Sequence, residues 1–521
     1  MIAQEKNNFL EHKSEHKIKH KVLPFTQPIG LGLAVLLSFA ILFAPVNYLL
    51  LILIVGGFLI SGMALVRYPV LAVPAVLLIA PLAAYEARAG LPIIGRLPIS
   101  SGQIVFGGAV ILWLFSWLVR KERRFPQAKS FTWLLLFAAV MLITVLSAES
   151  TAVGGKEVIK WIQLGAMMLI CLDLVKVTAQ HWQTPENKVW LLVGCVALSG
   201  SVQALIGLSQ FLSVDGPESF QILGRFYRAF GTFEQPNPYG GFIAWHFVLL
   251  SGICLPQIWQ RLIRFSGTSP ESGKLKESLL PFWAALPLFG VTALVGGALI
   301  ASWSRGGWLA AVSGLGAIAF FWPPKRRTGA LLILCALFLL MVIWQSGLLP
   351  TSIINRLASS AEFQVASVRD LEVNPDNYAV LERQAFWQAA FNMFESNIWT
   401  GVGFGNYDAA YPENFVGTWE HSLGHAHNYY INLLAETGIA GLIAYLVFWG
   451  VILWQMIRHL PHLPPSQRGI ALGLIGVWIA LSMHHLVDKL YVNNNWLTLG
   501  TFLAMQEILL AQPKRDCDTI V

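Results

Sequence analysis

Long apolar runs are the feature that most constrains the fold of this chain. Stretches of roughly 16 to 25 apolar residues recur along it, and a helix of about 20 such residues spans a bilayer. Of the 521 residues, 55% are hydrophobic and only 12% are charged, which is about half the charged fraction of a soluble domain. The chain is therefore predicted to be an all-α polytopic membrane protein.

About 12 to 14 transmembrane helices are expected from these runs, with one large external loop between the late spans. The predicted spans lie near residues 29–45, 47–66, 69–85, 104–119, 131–148, 159–176, 189–213, 239–255, 282–303, 307–322, 329–347, 438–457, 469–488 and 494–511. The predicted organisation is a basic arm (1–28), a bundle of about eleven helices (29–347), a loop (348–437), C-terminal spans (438–511) and a tail (512–521).

The positions of the basic residues predict the orientation of the spans. Most of the 35 Lys and Arg residues fall on cytoplasmic segments when both termini are placed in the cytoplasm. The exceptions are Arg88, Arg96, Lys156, Lys160, Arg225, Arg228, Arg305, Arg356, Arg369, Arg383 and Lys489. The net charge of +7 therefore follows topology and does not indicate nucleic-acid binding.

Arg305 lies between two apolar runs, with only Gly306 and Gly307 to form a turn. A charge at the bilayer centre costs roughly 2.5–3.5 kcal/mol, so this arginine is expected at the outer interface or in a polar cavity. It either binds an anionic group there or snorkels to cap a helical hairpin.

Arg225 and Arg228 are three positions apart, and on a helical turn they would share a face. Two adjacent guanidiniums repel unless an anion neutralises them, and phosphate is a natural partner because guanidinium binds it bidentately. The alternative is salt bridging to Asp215, Glu218 or Glu234.

Arg383 belongs to a predicted helix over 379–395 that has a broad apolar face. Such a helix can lie flat on the membrane, which would place the arginine at the depth of the lipid headgroups. The alternative is a local ion pair with Glu382.

The segment HAHNYYINLLAETGIAGL closes the external loop, and its His427 is a base candidate near neutral pH. The sequence alone does not rank His427 against His421 and His425. Glu436 follows nine positions later, which on one continuous helix is the opposite face, so a direct dyad with His427 is not expected. Gly438 predicts a break before the next span begins.

Two further polar segments have competing interpretations. His484, His485 and Asp488 lie near the outer end of a predicted span, where they either serve function or pair with one another. The segment GVGFGNY at 401–407 is a tight loop with possible substrate contact; no strand precedes it and no P-loop lysine follows.

The sequence resembles the O-antigen ligase family, which also includes O-antigen polymerases and bacterial protein O-oligosaccharyltransferases. The resemblance rests on RAFGTFEQPNPYGG, SWSRGGWLA, the arginine helix followed by GVGFGNY, and HAHNYYINLLAETGIAGL, in that order within about 200–450. It implies a GT-C-like, inverting, metal-independent glycosyltransferase without a cofactor. The implied localisation is the bacterial inner membrane, with the active site on the periplasmic face.

The resemblance also implies partners and roles. The donor would be a glycan on undecaprenyl pyrophosphate, the acceptor a glycan, lipid or protein hydroxyl, and membrane lipid the surroundings. His427, just before Asn in the family's HN motif, would be the base, and pyrophosphate would be held by arginines. These arginines are Arg225 or Arg228, Arg305 and Arg383, with His425, Asn428 and Glu436 as supporting residues.

Three other functions compete with ligation. A polymerase of the same family would use the same donor chemistry. A transporter or flippase predicts broken helices and polar residues near the membrane midplane, whereas the arginines and His427 are predicted at outer boundaries. A scaffold built on the acidic external loop does not explain Arg305.

Overall fold

The computed structural model describes residues 69–88, 99–119, 125–146, 148–178, 185–213, 216–265, 282–347, 351, 354, 368 and 378–512. The first two predicted spans, together with Arg96, Arg356 and Arg369, lie outside the described residues.

Helices form most of the described chain. They are α1 Ala72–Ile79, α2 Ala83–Arg88, α3 Ser101–Val119, α4 Lys129–Val145, α5 Thr151–Thr178, α6 Pro185–Leu212, α7 Pro236–Phe265, α8 Phe282–Ala301, α9 Arg305–Phe321, α10 Arg326–Gln345, α11 Tyr378–Ser396, α12 Tyr407–Ala410, α13 Tyr429–His459, α14 Pro465–His484 and α15 Asn495–Leu510. One antiparallel hairpin, β1 Gln221–Ile222 and β2 Phe226–Tyr227, precedes α7 and pairs Gln221 with Tyr227.

Seven helical segments in the described part of the chain are long and apolar enough to cross a membrane. They are Ser101–Val119, Thr151–Val175, Lys188–Leu212, Pro236–Ile258, Arg326–Gln345, Tyr429–His462 and Pro465–His484. Shorter apolar helices are Ala72–Ala87, Lys129–Val145, Ala285–Ala301 and Arg305–Phe321. The prediction of an all-α polytopic membrane protein is confirmed.

Two predicted spans differ from the structure. The run at 69–85 is helical throughout, but a 3-10 turn at Ala80–Leu82 interrupts its α-helical hydrogen bonding between α1 and α2. Pro81 lies in this turn and has no N–H to donate to an α-helical ladder. The span predicted at 469–488 ends as α14 at His484, so Asp488 lies in the loop that follows.

The interior is centred on α7 and α14, which pack against each other and against α9. A Cβ atom at Gly252 of α7 would clash with the backbone of Gly473 of α14, so small residues allow these helices to approach closely. By contrast, α10 exposes large apolar side chains such as Leu334 and Phe338, as expected of a helix that faces lipid.

The start of α13 positions the candidate site. Gly438 has φ 61° and ψ −163°, so it breaks α13 into a short first segment and a long second one, as predicted for this glycine. The first segment, Tyr429–Thr437, packs against α11 and the loop at 401–407. It therefore lies between the external segments and the helical bundle.

Candidate functional site

His425 and His427 face the same carboxylate, that of Asp488 in the loop after α14. His425 Nε2 is 2.9 Å from Asp488 Oδ1, and His427 Nδ1 is 3.5 Å from the same oxygen. The two rings are 4.4 Å apart between centroids. Because Ala426 between them is fully buried, the chain turns both histidines toward the carboxylate.

The backbone around His427 is held in an uncommon conformation. His427 has φ 51°, a left-handed value that few residues other than glycine adopt. Asn428 caps α13 by accepting hydrogen bonds from the N–H groups of Tyr430 at 3.0 Å and Ile431 at 3.2 Å. On the other side, Ala426 N–H donates to Asn432 Oδ1 at 3.1 Å. These contacts fix the position of the ring.

Asp488 is buried, and its pKa is lowered. Burial acts to raise its pKa, but hydrogen bonds and positive charge from His425 and His427 hold that pKa well below the usual range. The N–H of Lys489 also donates to Asp488 Oδ1, at 2.9 Å. For His425, burial lowers the pKa, and Asp488 acts in the opposite direction.

A group of buried and half-buried charges lies behind Asp488. Lys489 Nζ is 3.6 Å from Glu157 Oε2, and Lys160 forms an ion pair with the other oxygen of Glu157. Burial acts to lower the pKa of Lys489, but Glu157 and Glu436 outweigh it and raise that pKa. The loop that carries Asp488 is thus held by charges on α5 and α13.

Glu436 faces this group and not His427. It is 1% exposed, and its Oε1 accepts from the N–H of Tyr407 at 3.4 Å. The continuous helix assumed from sequence is wrong, because α13 begins at Tyr429 and His427 precedes it with left-handed geometry. Contact with the loop at 401–407 and with Lys489 places Glu436 behind the site.

Arg383 lies on the helix that contacts His427. Phe386 of α11 stacks on the His427 ring, with centroids 5.9 Å apart and planes at 19°. Arg383 lies three positions earlier and therefore shares a helix face with Phe386. The predicted helix over 379–395 is confirmed as α11, Tyr378–Ser396.

The Arg305 turn packs against the end of α14. Arg305 is the first residue of α9, and Ser304 caps that helix by accepting from the Gly307 N–H at 3.2 Å. The prediction that Gly306 and Gly307 form the turn is wrong, because both lie inside the first helical turn. A Cβ at Gly306 would be 2.8 Å from Val487 Cγ2. The first turn of α9, which begins at Arg305, therefore touches the loop that carries Asp488.

Arg225 and Arg228 do not share a helical face, contrary to the sequence prediction, because they flank the strand β2. Arg225 is exposed and lies over the Phe226 ring at 4.5 Å. Arg228 is half-buried and donates from Nε to the Ser302 carbonyl and from Nη2 to Asn237 Oδ1, both at 3.0 Å. Arg228 therefore braces the segment just before Arg305.

Comparison with known protein families shows a likeness over part of the chain. Residues 289–446 match the family model described as O-antigen ligase. This segment of the chain is therefore similar to the O-antigen ligase family. No curated protein matches the chain.

The likeness supports a membrane enzyme of the O-antigen ligase or polymerase type in general. The matched residues contain Arg305, Arg383, His425, His427 and Glu436. Arg228 and Asp488 lie outside the matched segment, and it is the fold that brings their loops to it.

Sequence reasoning missed Glu157, Lys160 and Lys489 as parts of the site. A signal was present, because Lys160 and Lys489 are exceptions to the predicted cytoplasmic placement of basic residues. A lysine within or beside an apolar helix needs a carboxylate partner, and Glu157 is that partner for both lysines in the structure.

One trio could also hold a metal ion. Ligand atoms of His425, His427 and Asp488 all lie within 4.8 Å of one another, and two imidazoles with a carboxylate suit a divalent transition metal. The metal independence implied by the family resemblance stays a prediction.

Proposed function

We propose that this protein transfers a glycan from undecaprenyl pyrophosphate to an acceptor hydroxyl at the outer face of the bacterial inner membrane, with inversion and without a metal. The observation that carries the proposal is the contact of His425 and His427 with the buried carboxylate of Asp488. An ionised carboxylate beside an imidazole fixes its tautomer and stabilises its protonated form.

The proposed base is His427. With a proton on Nδ1 directed at Asp488, its Nε2 has a free lone pair and can accept the proton of the acceptor hydroxyl. The Nδ1 to Oδ1 separation of 3.5 Å is long for a hydrogen bond, and such contacts often tighten when substrate binds. His425, already hydrogen-bonded to Asp488 at 2.9 Å, would support the charge of this carboxylate.

In the proposed step, the acceptor oxygen attacks the anomeric carbon as it loses its proton to His427. The bond between that carbon and the pyrophosphate oxygen breaks, and the electron pair leaves on pyrophosphate. This leaving group departs as an anion, so cations stabilise it without a general acid. Arg305 and Arg383 are the proposed cations, with Arg228 bracing the turn before Arg305 and Arg225 at the exposed rim.

The test is glycan transfer by purified protein in lipid vesicles with a polyprenyl-diphosphate-linked donor. His427→Ala should lower the rate by about 10²- to 10⁴-fold, the usual contribution of a general base, and Arg305→Ala should also lower it. His421→Ala is the matched control, because His421 is an exposed histidine of the same loop. Full transfer by His427→Ala with an unchanged melting temperature would refute the base.

Chelation separates the base from a metal site. Protein treated with EDTA should transfer glycan at the untreated rate if His427 acts as a base. Loss of activity that zinc restores would instead identify His425, His427 and Asp488 as metal ligands. Mass spectrometry of the intact product would then distinguish ligation to a lipid or protein from polymerisation.

A further inference from the structure

A cavity of about 480 Å³ lies where the start of α4 meets the ends of α13 and α15. The segment of α13 after its break at Gly438, residues 439–459, is about 30 Å long at 1.5 Å per residue. His427 precedes the start of α13 and the cavity lies at its end, so the two are at opposite ends of this helix. An inference about the cavity is therefore independent of the proposed transfer reaction.

The cavity is rich in groups that attract anions. Its lining includes Lys129, Arg458, His459 and His462, and none of the described residues that line it carries a carboxylate. The carboxylate of Glu507 on α15 is engaged by the start of α4. It accepts hydrogen bonds from the N–H groups of Lys129 and Ser130, both at 2.9 Å. The described lining therefore combines the cationic side chains of Lys129 and Arg458 with two histidines and contains no carboxylate.

An apolar stripe on the surface of α13 leads to this cavity. Ile443, Val447 and Trp454 are 55%, 45% and 55% exposed, and Gly450 has open space where a Cβ would lie. Their spacings of four, three and four positions place them on one helix face. One turn further, Arg458 lies over the Trp454 ring at 4.9 Å. The stripe thus ends at a guanidinium on the rim of the cavity.

We propose that the cavity binds the phosphate group of an anionic membrane phospholipid, with one acyl chain along the stripe of α13. Guanidinium and ammonium groups bind phosphate oxygens, and basic pockets between transmembrane helices take acidic lipid headgroups. A free anion would use the charges of the cavity but leave the adjoining apolar stripe without a role, so the stripe favours a lipid.

The test is lipid binding to the full-length protein in detergent, followed by mass spectrometry of the intact complex. Phosphatidylglycerol should bind at least about ten-fold more tightly than phosphatidylcholine. The double variant Arg458→Gln, His462→Gln should remove this preference. Trp454→Ala should weaken the binding of both lipids.

Arg326→Gln is the matched control, because Arg326 also lies over an aromatic ring, that of Phe321 at 4.7 Å, but does not line the cavity. It should keep the preference for phosphatidylglycerol. An unchanged preference in the double variant, with native melting behaviour, would overturn the proposal. Inorganic phosphate displacing phosphatidylglycerol at equal concentration would also overturn it, and would assign the cavity to a free anion.

Discussion

At the scale of single residues, the geometry of His427 is decided within four positions of the chain. Histidine tolerates left-handed φ better than most residues, and Asn428 is a favoured helix cap. Together they end the external loop sharply and begin α13, with Ala426 buried between the two histidines. The chain turn itself therefore presents both imidazoles on one side.

Much of this could be read from the sequence, but the partner of the histidines could not. The segment HAHN marks a base and a cap locally, whereas Asp488 is 63 positions from His425. The end of α14 and the short loop after it bring the Asp488 carboxylate next to the two histidines. The sequence places His484, His485 and Asp488 together near the end of that span. Only the fold shows that Asp488 is the one that contacts His425 and His427.

The lowered pKa of His425 makes a prediction about pH and stability. Its folded-state pKa lies below the unfolded value of about 6.5, because burial outweighs Asp488, while His427 and Lys489 also act to lower it. Above pH 6.5 both states are neutral and the group contributes nothing. As pH falls through 6.5 toward the folded pKa, the unfolded state binds the proton first and stability decreases.

This decrease should be about 1.4 kcal/mol for each unit of pKa shift. Thermal melts of the detergent-solubilised protein between pH 7.5 and 5 should show His425→Gln losing less stability than the wild type. His421→Gln, at an exposed position of the same loop, should keep the wild-type slope. Equal slopes for all three proteins would contradict the prediction.

At the scale of elements, the ion pair between Lys489 and Glu157 connects the Asp488 loop to α5. Lys489→Gln should destabilise the protein by up to about 3 kcal/mol, the lower end for breaking a buried pair, because Glu157 is only half-buried and keeps Lys160 as a partner. Adding Glu157→Gln should recover part of this loss, as measured by thermal unfolding of the single and double variants. A double variant as unstable as the sum of the two single variants would show that the pair is not coupled.

The hairpin before α7 shows why short elements escape sequence reasoning. Each strand has only two residues, too few for an alternating pattern to be recognised. The only local sign is the turn, where Leu223 and Gly224 have φ 54° and 72°, as the central residues of a type I′ turn require. Because the sequence does not reveal the hairpin, the spacing of Arg225 and Arg228 suggests a shared helix face that the structure does not have.

At the scale of the whole molecule, hydropathy predicted most described spans because the bilayer sets their length. Hydropathy does not reveal the 3-10 turn at Pro81, because the missing N–H of proline decides the backbone there. It is also silent about which helices are central, since α14 and α10 are both apolar but only α14 is enclosed by its neighbours. That difference depends on small residues such as Gly252 and Gly473.

The proposed orientation can be tested with single cysteines in a cysteine-free background. Glu420 and Pro461 are both exposed, and they lie beyond opposite ends of α13. A membrane-impermeant maleimide should label Glu420→Cys in intact spheroplasts and Pro461→Cys only after permeabilisation. The reverse pattern would place the His427 end in the cytoplasm and exclude a periplasmic site.

The ion pair of Glu157 with Lys160 has a consequence for the synthesis of the protein. Lys160 meets the carbonyl of Tyr491, 331 positions away, and Lys489 is just as distant from Glu157, so α5 enters the membrane before these partners exist. Because Lys160 lies one turn from Glu157 on the same helix, the nascent helix has an internal counter-charge. The pair of Lys160 and Glu157 therefore has no net charge when α5 leaves the translocation channel. Lys489 takes its place beside Glu157 only after the last helices have been inserted.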